Sequence, residues 1–358
     1  MAQEVKILCV GDIHFKSSSL PQTSVFMERI KALLNKNKDL DFVVVLGDVL
    51  HNFNIYHQEP FNQAVEFLKI LYERIPTFLL VGNHDYPNNS QFLTSKHAFN
   101  ALKEWGENMI IVDDVIEHVV ETEGEDEEFL FYFVPYVPPG KFEEALNLSD
   151  GLWENADCIF AHQEFKKCKM GPKLSEEGDE WDETYPTVVS GHIHESHWVG
   201  ENIYYPGSSI QQDHREGENK HVCILTIRKN KDHETEIEIE EIDLGMRKKK
   251  IISMPLEEVE NFNLKKYKNI DLKLELVGKN NDYARFQKTK SYRSLINKGV
   301  KIIFIHSFVA SKNELSEMMA QNSVKYGSKY VEVLQGMISD SKSPSVQEAY
   351  KKIIMADN

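Results

Sequence analysis

Cysteine is scarce in this chain, four in 358 residues, and Cys9, Cys158, Cys168 and Cys223 show none of the close spacings of a structural zinc site. Cys9 and Cys158 sit within apolar runs, so they read as small buried hydrophobes in a reducing compartment. Long hydrophobic stretches are also missing. No segment approaches the roughly 20 apolar residues that span a bilayer. The apolar run within Met1 to Val10 is too short for a signal peptide. The expectation is a soluble, intracellular, cytoplasmic protein with no membrane partner. Internal repeats and long low-complexity segments are absent as well.

Positive charge is in short supply. The chain carries 41 Lys and Arg against 57 Asp and Glu, a net charge of −16. That balance argues against a nucleic-acid partner until its distribution is considered. Residues 246 to 301 hold 15 basic and 6 acidic side chains, a local +9, which leaves 26 basic and 51 acidic, or −25, for the remainder. A basic segment on an acidic protein is the electrostatic footprint of phosphate-backbone binding. Acidic runs such as Glu121 to Glu128 and Glu234 to Glu241 read as solvated faces. With 41% hydrophobic and 10% aromatic residues the chain can bury a sizeable core. Its length fits one large domain and a modest second one.

What the chain does have is five short segments that pair histidines with carboxylates or an asparagine: Asp12-Ile13-His14, Gly47-Asp48, Gly82-Asn83-His84-Asp85, His162, and Gly191-His192-Ile193-His194. Four of them directly follow apolar runs, Val5 to Val10, Phe42 to Leu46, Phe78 to Val81 and Cys158 to Ala161, and the fifth follows the shorter Val188-Val189. Such runs, bounded by glycine or polar residues, predict buried parallel strands. The chemistry therefore falls where strands end and loops begin, as sites do in open α/β sheets.

Asp12, His14, Asp48, Asn83, His162, His192 and His194 are seven candidate metal ligands. Mixed imidazole and carboxylate donors suit Mn, Fe or Zn, whereas carboxylate and water alone would suit Mg or Ca. If one carboxylate bridges, seven side chains serve two ions, and Asp48, alone after its strand, is the natural bridge. Paired ions can activate water and neutralise charge on a phosphoryl group. Each segment taken singly has an ordinary structural reading: two histidines on one strand face, or a turn. The shared strand context of all five favours the metal pair.

The series Asp-x-His, Gly-Asp, Gly-Asn-His-Asp, His and Gly-His-x-His, spanning residues 12 to 194, resembles the calcineurin-like metallophosphoesterase superfamily. The resemblance implies Asp12, His14, Asp48 and His194 around one ion and Asp48, Asn83, His162 and His192 around the other. It implies that His84 contacts the scissile phosphate and that Asp85 orients His84 by accepting its second ring proton. It implies two divalent cations, by family expectation Mn2+, with Mg2+, Fe2+ or Zn2+ as alternatives. Gly47-Asp48-Val49-Leu50-His51 and Tyr205-Pro206-Gly207-Ser208 are similar to the SbcD-type nucleases of double-strand-break repair, in which the histidine matching His51 assists exonucleolytic cleavage. The segments from Ala161 to Phe165 and from Cys168 to Gly171 look most like the recombination endonuclease subunits of large phages and viruses, which would place the protein in host cytoplasm. Two stretches depart from the SbcD-type pattern: Phe15-Lys16 after Asp12-Ile13-His14, and Ile210 to Asn219.

The fold expected is an α/β two-sheet metallophosphoesterase sandwich flanked by helices, over residues 1–245. Apolar stripes predict helices from Thr23, capped by Thr23 or Ser24, to Asn37 and from Phe61 to Glu73, while 221–227 and 235–242 alternate as antiparallel edge strands. Residues 246–310 predict a small β-α-β unit: a strand over 271–277, a helix over 282–298 from an Asp282 cap, and a strand over 300–308. That unit resembles the capping domain of SbcD-type nucleases, and Lys288, Lys290, Arg293 and Lys298 are candidate phosphate contacts. The remaining 311–358, with short helices near 313–320 and 345–355, match the region that in this family binds an SbcC-type coiled-coil ATPase. A homodimer through residues 52–75 is likewise implied by resemblance. The leading reading is a two-metal nuclease acting on double-stranded DNA ends. The alternatives are a phosphodiesterase or phosphatase on small molecules or proteins, and a non-catalytic scaffold of the same fold.

Overall fold

A computed structural model of the chain describes residues 4–121, 128–149 and 151–306. Strand β1 (Glu4–Val10) leads through helix α1 (Leu20–Lys36) to β2 (Phe42–Val45), and α2 (Gln58–Tyr72) returns the chain to β3 (Thr77–Leu80) and β4 (Met109–Val112). These four strands are parallel neighbours. A second series follows: β5 (Ile116–Glu121), β6 (Glu128–Val134), α3 (Phe142–Asn147), β7 (Cys158–Ala161), the short hairpin β8 (Lys169–Met170) and β9 (Lys173–Leu174), β10 (Val188–Ser190), β11 (His197–Val199) and β12 (Ile203–Tyr205). Strands β13 (Val222–Lys229) and β14 (Thr235–Ile242) then close onto the first sheet. The two sheets run in the orders β14-β13-β1-β2-β3-β4 and β11-β12-β10-β7-β6-β5.

Side-chain alternation explains why the central strands are apolar throughout. In β1, Val5, Ile7 and Cys9 face the second sheet, whereas Leu8 and Val10 face α1 and α2. Phe42 and Val44 against Val43 and Val45, and Phe78 and Leu80 against Leu79, divide the same way. A strand buried on both faces has no polar side, so it appears in sequence as an unbroken run. Between the sheets the Phe42 ring lies 5.3 Å from Phe78, 5.5 Å from Phe131 and 6.5 Å from Phe160, centroid to centroid. The second sheet buries its other face, including Tyr132, Val134 and Ile159, against Phe142 and Leu146 of α3. The edge strand β14 exposes Glu236, Glu238 and Glu240, so this acidic run is a solvated face.

Helix α1 starts earlier than its apolar stripe suggested. Pro21, whose fixed φ suits a first turn, sits just inside it, and Ser19 occupies the cap position. The Thr23 hydroxyl donates back to the carbonyls of Ser19 and Leu20 instead of capping.

Beyond residue 246 the chain forms a three-stranded sheet in the order β15-β16-β17, from β15 (Lys248–Pro255), β16 (Ile270–Gly278) and β17 (Lys301–His306). The single helix expected over 282–298 is two, α4 (Asn280–Phe286) and α5 (Lys290–Asn297). Thr289 makes the break: its hydroxyl donates to the Phe286 carbonyl and accepts from the Tyr292 amide, ending one helix and capping the next. Asp282 therefore lies inside the first turn of α4, not at a cap. Lys288, Lys290, Arg293 and Lys298 are all exposed. The chain divides into two compact units, one of residues 1–252, 262–274 and 295–302, the other, among the described residues, of 253–261, 275–294 and 303–306. The expected tail 311–358 lies outside the described residues. Among those residues no helix is long and apolar enough to cross a membrane.

Phe42→Ala would leave a void between the sheets where five other rings now meet. Such a truncation should cost about 3–5 kcal/mol of unfolding free energy, read as a lower midpoint in guanidinium denaturation with little change in slope.

Candidate metal centre

All seven candidate ligands stand on loops that leave the C-terminal ends of parallel strands, and both sheets contribute. The loops after β1, β2 and β3 carry Asp12 and His14, Asp48, and Asn83 to Asp85; those after β7 and β10 carry His162, and His192 with His194. To aim side chains back over a strand end, these loops adopt left-handed backbone. Asp12, His14, Asp48 and His192 have φ of 41°, 51°, 49° and 78°. A non-glycine residue there costs on the order of 1–3 kcal/mol, which the surrounding packing must hold. The glycines before the ligands answer to crowding. A Cβ on Gly47 would stand 2.4 Å from His162 Nδ1, and one on Gly82 would stand 2.3 Å from Asp48 Oδ1.

Among the described residues three triads offer converging ligand atoms: Asp12, His14 and His194; Asp48, His162 and His192; and His14, His51 and His84. Asp48 lies between the first two, with Oδ2 3.5 Å from His14 Nε2 and Oδ1 3.3 Å from His162 Nε2. Asn83 Oδ1 is 3.1 Å from His162 Nε2 and 3.0 Å from His192 Nδ1. His14 Nε2 and His194 Nε2 face each other at 3.0 Å.

The outer hydrogen bonds decide which atoms point inward. A carbonyl only accepts, so the Leu46 carbonyl, 2.6 Å from His162 Nδ1, places that ring's proton outward and leaves Nε2 a lone pair. Glu216 Oε1, 2.8 Å from His194 Nδ1, does the same for His194. Asp12 Oδ2 is buried with no hydrogen-bond partner. His14 Nε2 lies 3.0 Å from His194 Nε2 and 3.5 Å from Asp48 Oδ2, so these nitrogens and carboxylate oxygens converge where a cation would replace shared protons. Burial favours neutral groups here, yet the Asp48 and Asp12 carboxylates raise the pKa of His162. Burial likewise opposes the charged form of Asp48, but His162 prevails and holds it below the usual carboxylate range. The donor set fits two divalent cations of the Mn, Fe or Zn type.

His84 and His51 join the same cluster. Oδ1 of Asp48 accepts from the His84 amide at 2.9 Å, and His84 Nε2 lies 4.0 Å from Oδ2. The rings of His51 and His84 are nearly parallel, with centroids 5.9 Å apart, and both stand edge-on to His14. Phe53 stacks on His84 at 4.3 Å. Burial first, and the Lys16 charge next, push His51 down to about 4, so it is neutral at physiological pH.

Asp85 does not hold the His84 ring. It accepts from the amides of Leu50 (2.9 Å), Gly82 (3.1 Å) and Val49 (3.3 Å), tying the two loops together, while His84 Nδ1 donates to the His51 carbonyl at 2.6 Å. The resemblance implied the pair, but the buried backbone amides behind Asp85 claim its carboxylate. Glu216 was missed: it binds His194, the Gln212 amide (2.8 Å) and the Lys220 ammonium (3.3 Å). Only its place in the unusual 210–219 stretch could have marked it.

Residues 5–196 match the family model described as calcineurin-like phosphoesterase. "Putative phosphoesterase 078R" of Invertebrate iridescent virus 3 is 43% identical over 84% of this chain and 84% of its own length. "Putative phosphoesterase 244L" of Invertebrate iridescent virus 6 is 39% identical over 80% of this chain and 98% of its own. Among solved structures, Vps29 of Chaetomium thermophilum aligns with a TM-score of 0.26 and 15% identity, covering 66% of this chain and 98% of that one.

Glu216→Gln keeps the shape of the side chain and removes the charge that orients His194. Mn2+ affinity measured by titration calorimetry should fall about 10–100-fold, the usual cost of losing such a support; unchanged affinity would remove Glu216 from the metal centre.

Proposed function

The chain belongs to the calcineurin-like phosphoesterase family, and from that premise we propose that it is a metal-dependent DNA nuclease acting at double-stranded ends. The observation that carries the reading is the position of His51. Its ring lies 5.3 Å from His14 and parallel to His84, where it would meet the strand next to the scissile bond. A small phosphoester has no use for a second histidine beside His84. The motif Gly47-Asp48-x-x-His51 is the one that resembles nucleases, and the exposed Lys288, Lys290, Arg293 and Lys298 supply positive charge for a phosphate backbone. On the resemblance alone, the chain would work as the nuclease half of a homodimeric, ATPase-coupled repair or recombination complex.

Asp12, His14, Asp48 and His194 would hold one cation, and Asp48, Asn83, His162 and His192 the other. The ions, Mn2+ by expectation, supply Lewis acidity toward phosphoryl oxygen and a lowered pKa for bound water. The protein's own part is positional. Asp48 keeps the two donor sets at a fixed separation, since it touches residues of both. The His51 carbonyl fixes a proton on His84 Nδ1. His84 Nε2 then donates only as the imidazolium, either to a phosphate oxygen or to the departing oxygen. Phe53 stacks on one ring of this pair and keeps it from turning. Asp85 holds the Gly82 and Leu50 loops so that His84 meets the centre.

His84→Ala should lower Mn2+-dependent cleavage of linear duplex DNA by at least about 100-fold, the lower range for a positioned acid, with metal content and melting temperature unchanged. Normal cutting by that variant would sink the mechanism. Turnover of a small aryl phosphodiester is measured alongside: rapid hydrolysis of the aryl ester with no cutting of DNA would move the assignment to a small-molecule phosphodiesterase.

A further inference from the structure

The two stretches that depart from the nuclease pattern, Lys16 and 210–219, meet in space. Phe15 pairs with Leu50 in a parallel bridge, which sets the next residues, Lys16 and His51, side by side. From the other direction Gln212 hydrogen-bonds through Nε2 to the Ile13 and Asp12 carbonyls at 2.7 and 3.2 Å, anchoring the 210–219 loop on the β1 loop. Between them opens a cleft of about 800 Å³, inside the first compact unit, with His51 on its wall.

The cleft is built for an anion. Lys16 Nζ donates to the Gln212 carbonyl at 3.2 Å, and Lys249 Nζ donates to the Gln211 carbonyl at 2.6 Å and lies 3.3 Å from that of Gln212. Among the described residues neither ammonium has a carboxylate within ion-pairing distance, although Lys249 is buried. Each keeps protons unspent, since an ammonium has three donors. Two further lining residues each carry a buried nitrogen with no hydrogen-bond partner, Gln22 Nε2 and His51 Nδ1. One acceptor is orphaned too, Gln212 Oε1. Two carboxylates share the lining, but both are engaged: Asp271 lies 3.3 Å from Lys301 and 3.6 Å from His214, and Asp213 accepts from the Arg215 amide. Burial lowers the pKa of Lys249 and the neighbouring Lys16 lowers it further, while the more distant Asp271 and Glu216 carboxylates offset this in part.

We infer that this cleft is a subsite for a second phosphate of the substrate strand, the one next to the scissile phosphate, held by Lys16 and Lys249. The inference rests on the nuclease reading, because only a chain of phosphodiesters offers a neighbouring phosphate. His51 joins the two sites: it packs against His14 and His84 and also lines the cleft. A strand bound this way is held at two successive phosphates, so its scissile bond is set by backbone spacing and not by base identity.

The test is binding of a labelled short oligothymidylate to the full-length chain without added metal, followed by anisotropy from about 50 to about 200 mM salt. In the Lys16→Gln, Lys249→Met double variant, affinity should fall roughly tenfold, and the slope of log K against log salt should flatten by about 0.7, the contribution of one single-strand phosphate. Because Lys249 is buried, Lys16→Gln alone is measured as well, and it should show the same flattening in part. Wild-type affinity and slope in both folded variants would overturn the subsite. So would inorganic phosphate competing on equal terms with the oligonucleotide, which would make the cleft a free-anion site. If wild type binds through the cleft yet leaves DNA uncut with Mn2+, the nuclease reading falls and the cleft stands only as a strand-phosphate site with no scissile neighbour. If it cuts DNA while the variants bind unchanged, the subsite falls and the nuclease reading stands.

Discussion

A buried carboxylate that touches both sheets is the constraint on which the rest of this structure turns. The apolar interface between the sheets is strong but non-directional, and rings such as Phe42 and Phe160 would tolerate small sliding motions. Asp48 does not. It meets His14 and the His84 amide from the first sheet and His162 from the second, all within 2.9–3.5 Å. Its charge is buried, and a buried charge is costly unless cations or donors surround it. The sheets therefore have one relative position in which the polar rim is satisfied, and that position is the one that assembles the metal centre. Fold and chemistry share a single electrostatic requirement.

That requirement explains why so much of the site could be read from sequence. A strand buried on both faces announces itself as an apolar run, and a ligand loop must follow it at once, so the pairs Val10 then Asp12, Leu46 then Asp48, Val81 then Asn83 and Ala161 then His162 carry both signals together. The glycines in those loops are equally legible in retrospect, since Gly47 and Gly82 lie where a methyl group would strike His162 or Asp48. What stayed hidden depends on contacts that no short spacing encodes. Glu216 lies 22 residues from His194 and binds it through a loop with no periodicity. The family resemblance paired Asp85 with His84, whereas the amides that bind its carboxylate come partly from Val49 and Leu50, over thirty residues away. The helix break at Thr289 turns on one hydroxyl that serves both helix ends, a competition that an amphipathic pattern over 282–298 does not register.

The acidic net charge is no obstacle to a polyanionic substrate. Exposed charges are screened beyond a Debye length of about 8 Å at physiological ionic strength. The glutamates of β14 project into solvent along a sheet edge, so their field decays in water before it governs a bound phosphate. Within the centre the carboxylates of Asp12 and Asp48 are offset by imidazoles and would be offset further by cations. What a substrate phosphate meets is the local balance. Beside His51 that balance includes Lys16 and Lys249, two ammoniums that donate to backbone carbonyls of Gln211 and Gln212 and form no ion pair among the described residues. Total charge governs how the protein behaves in solution; the few ångströms around Lys16 and the buried Lys249 govern what this cleft can hold.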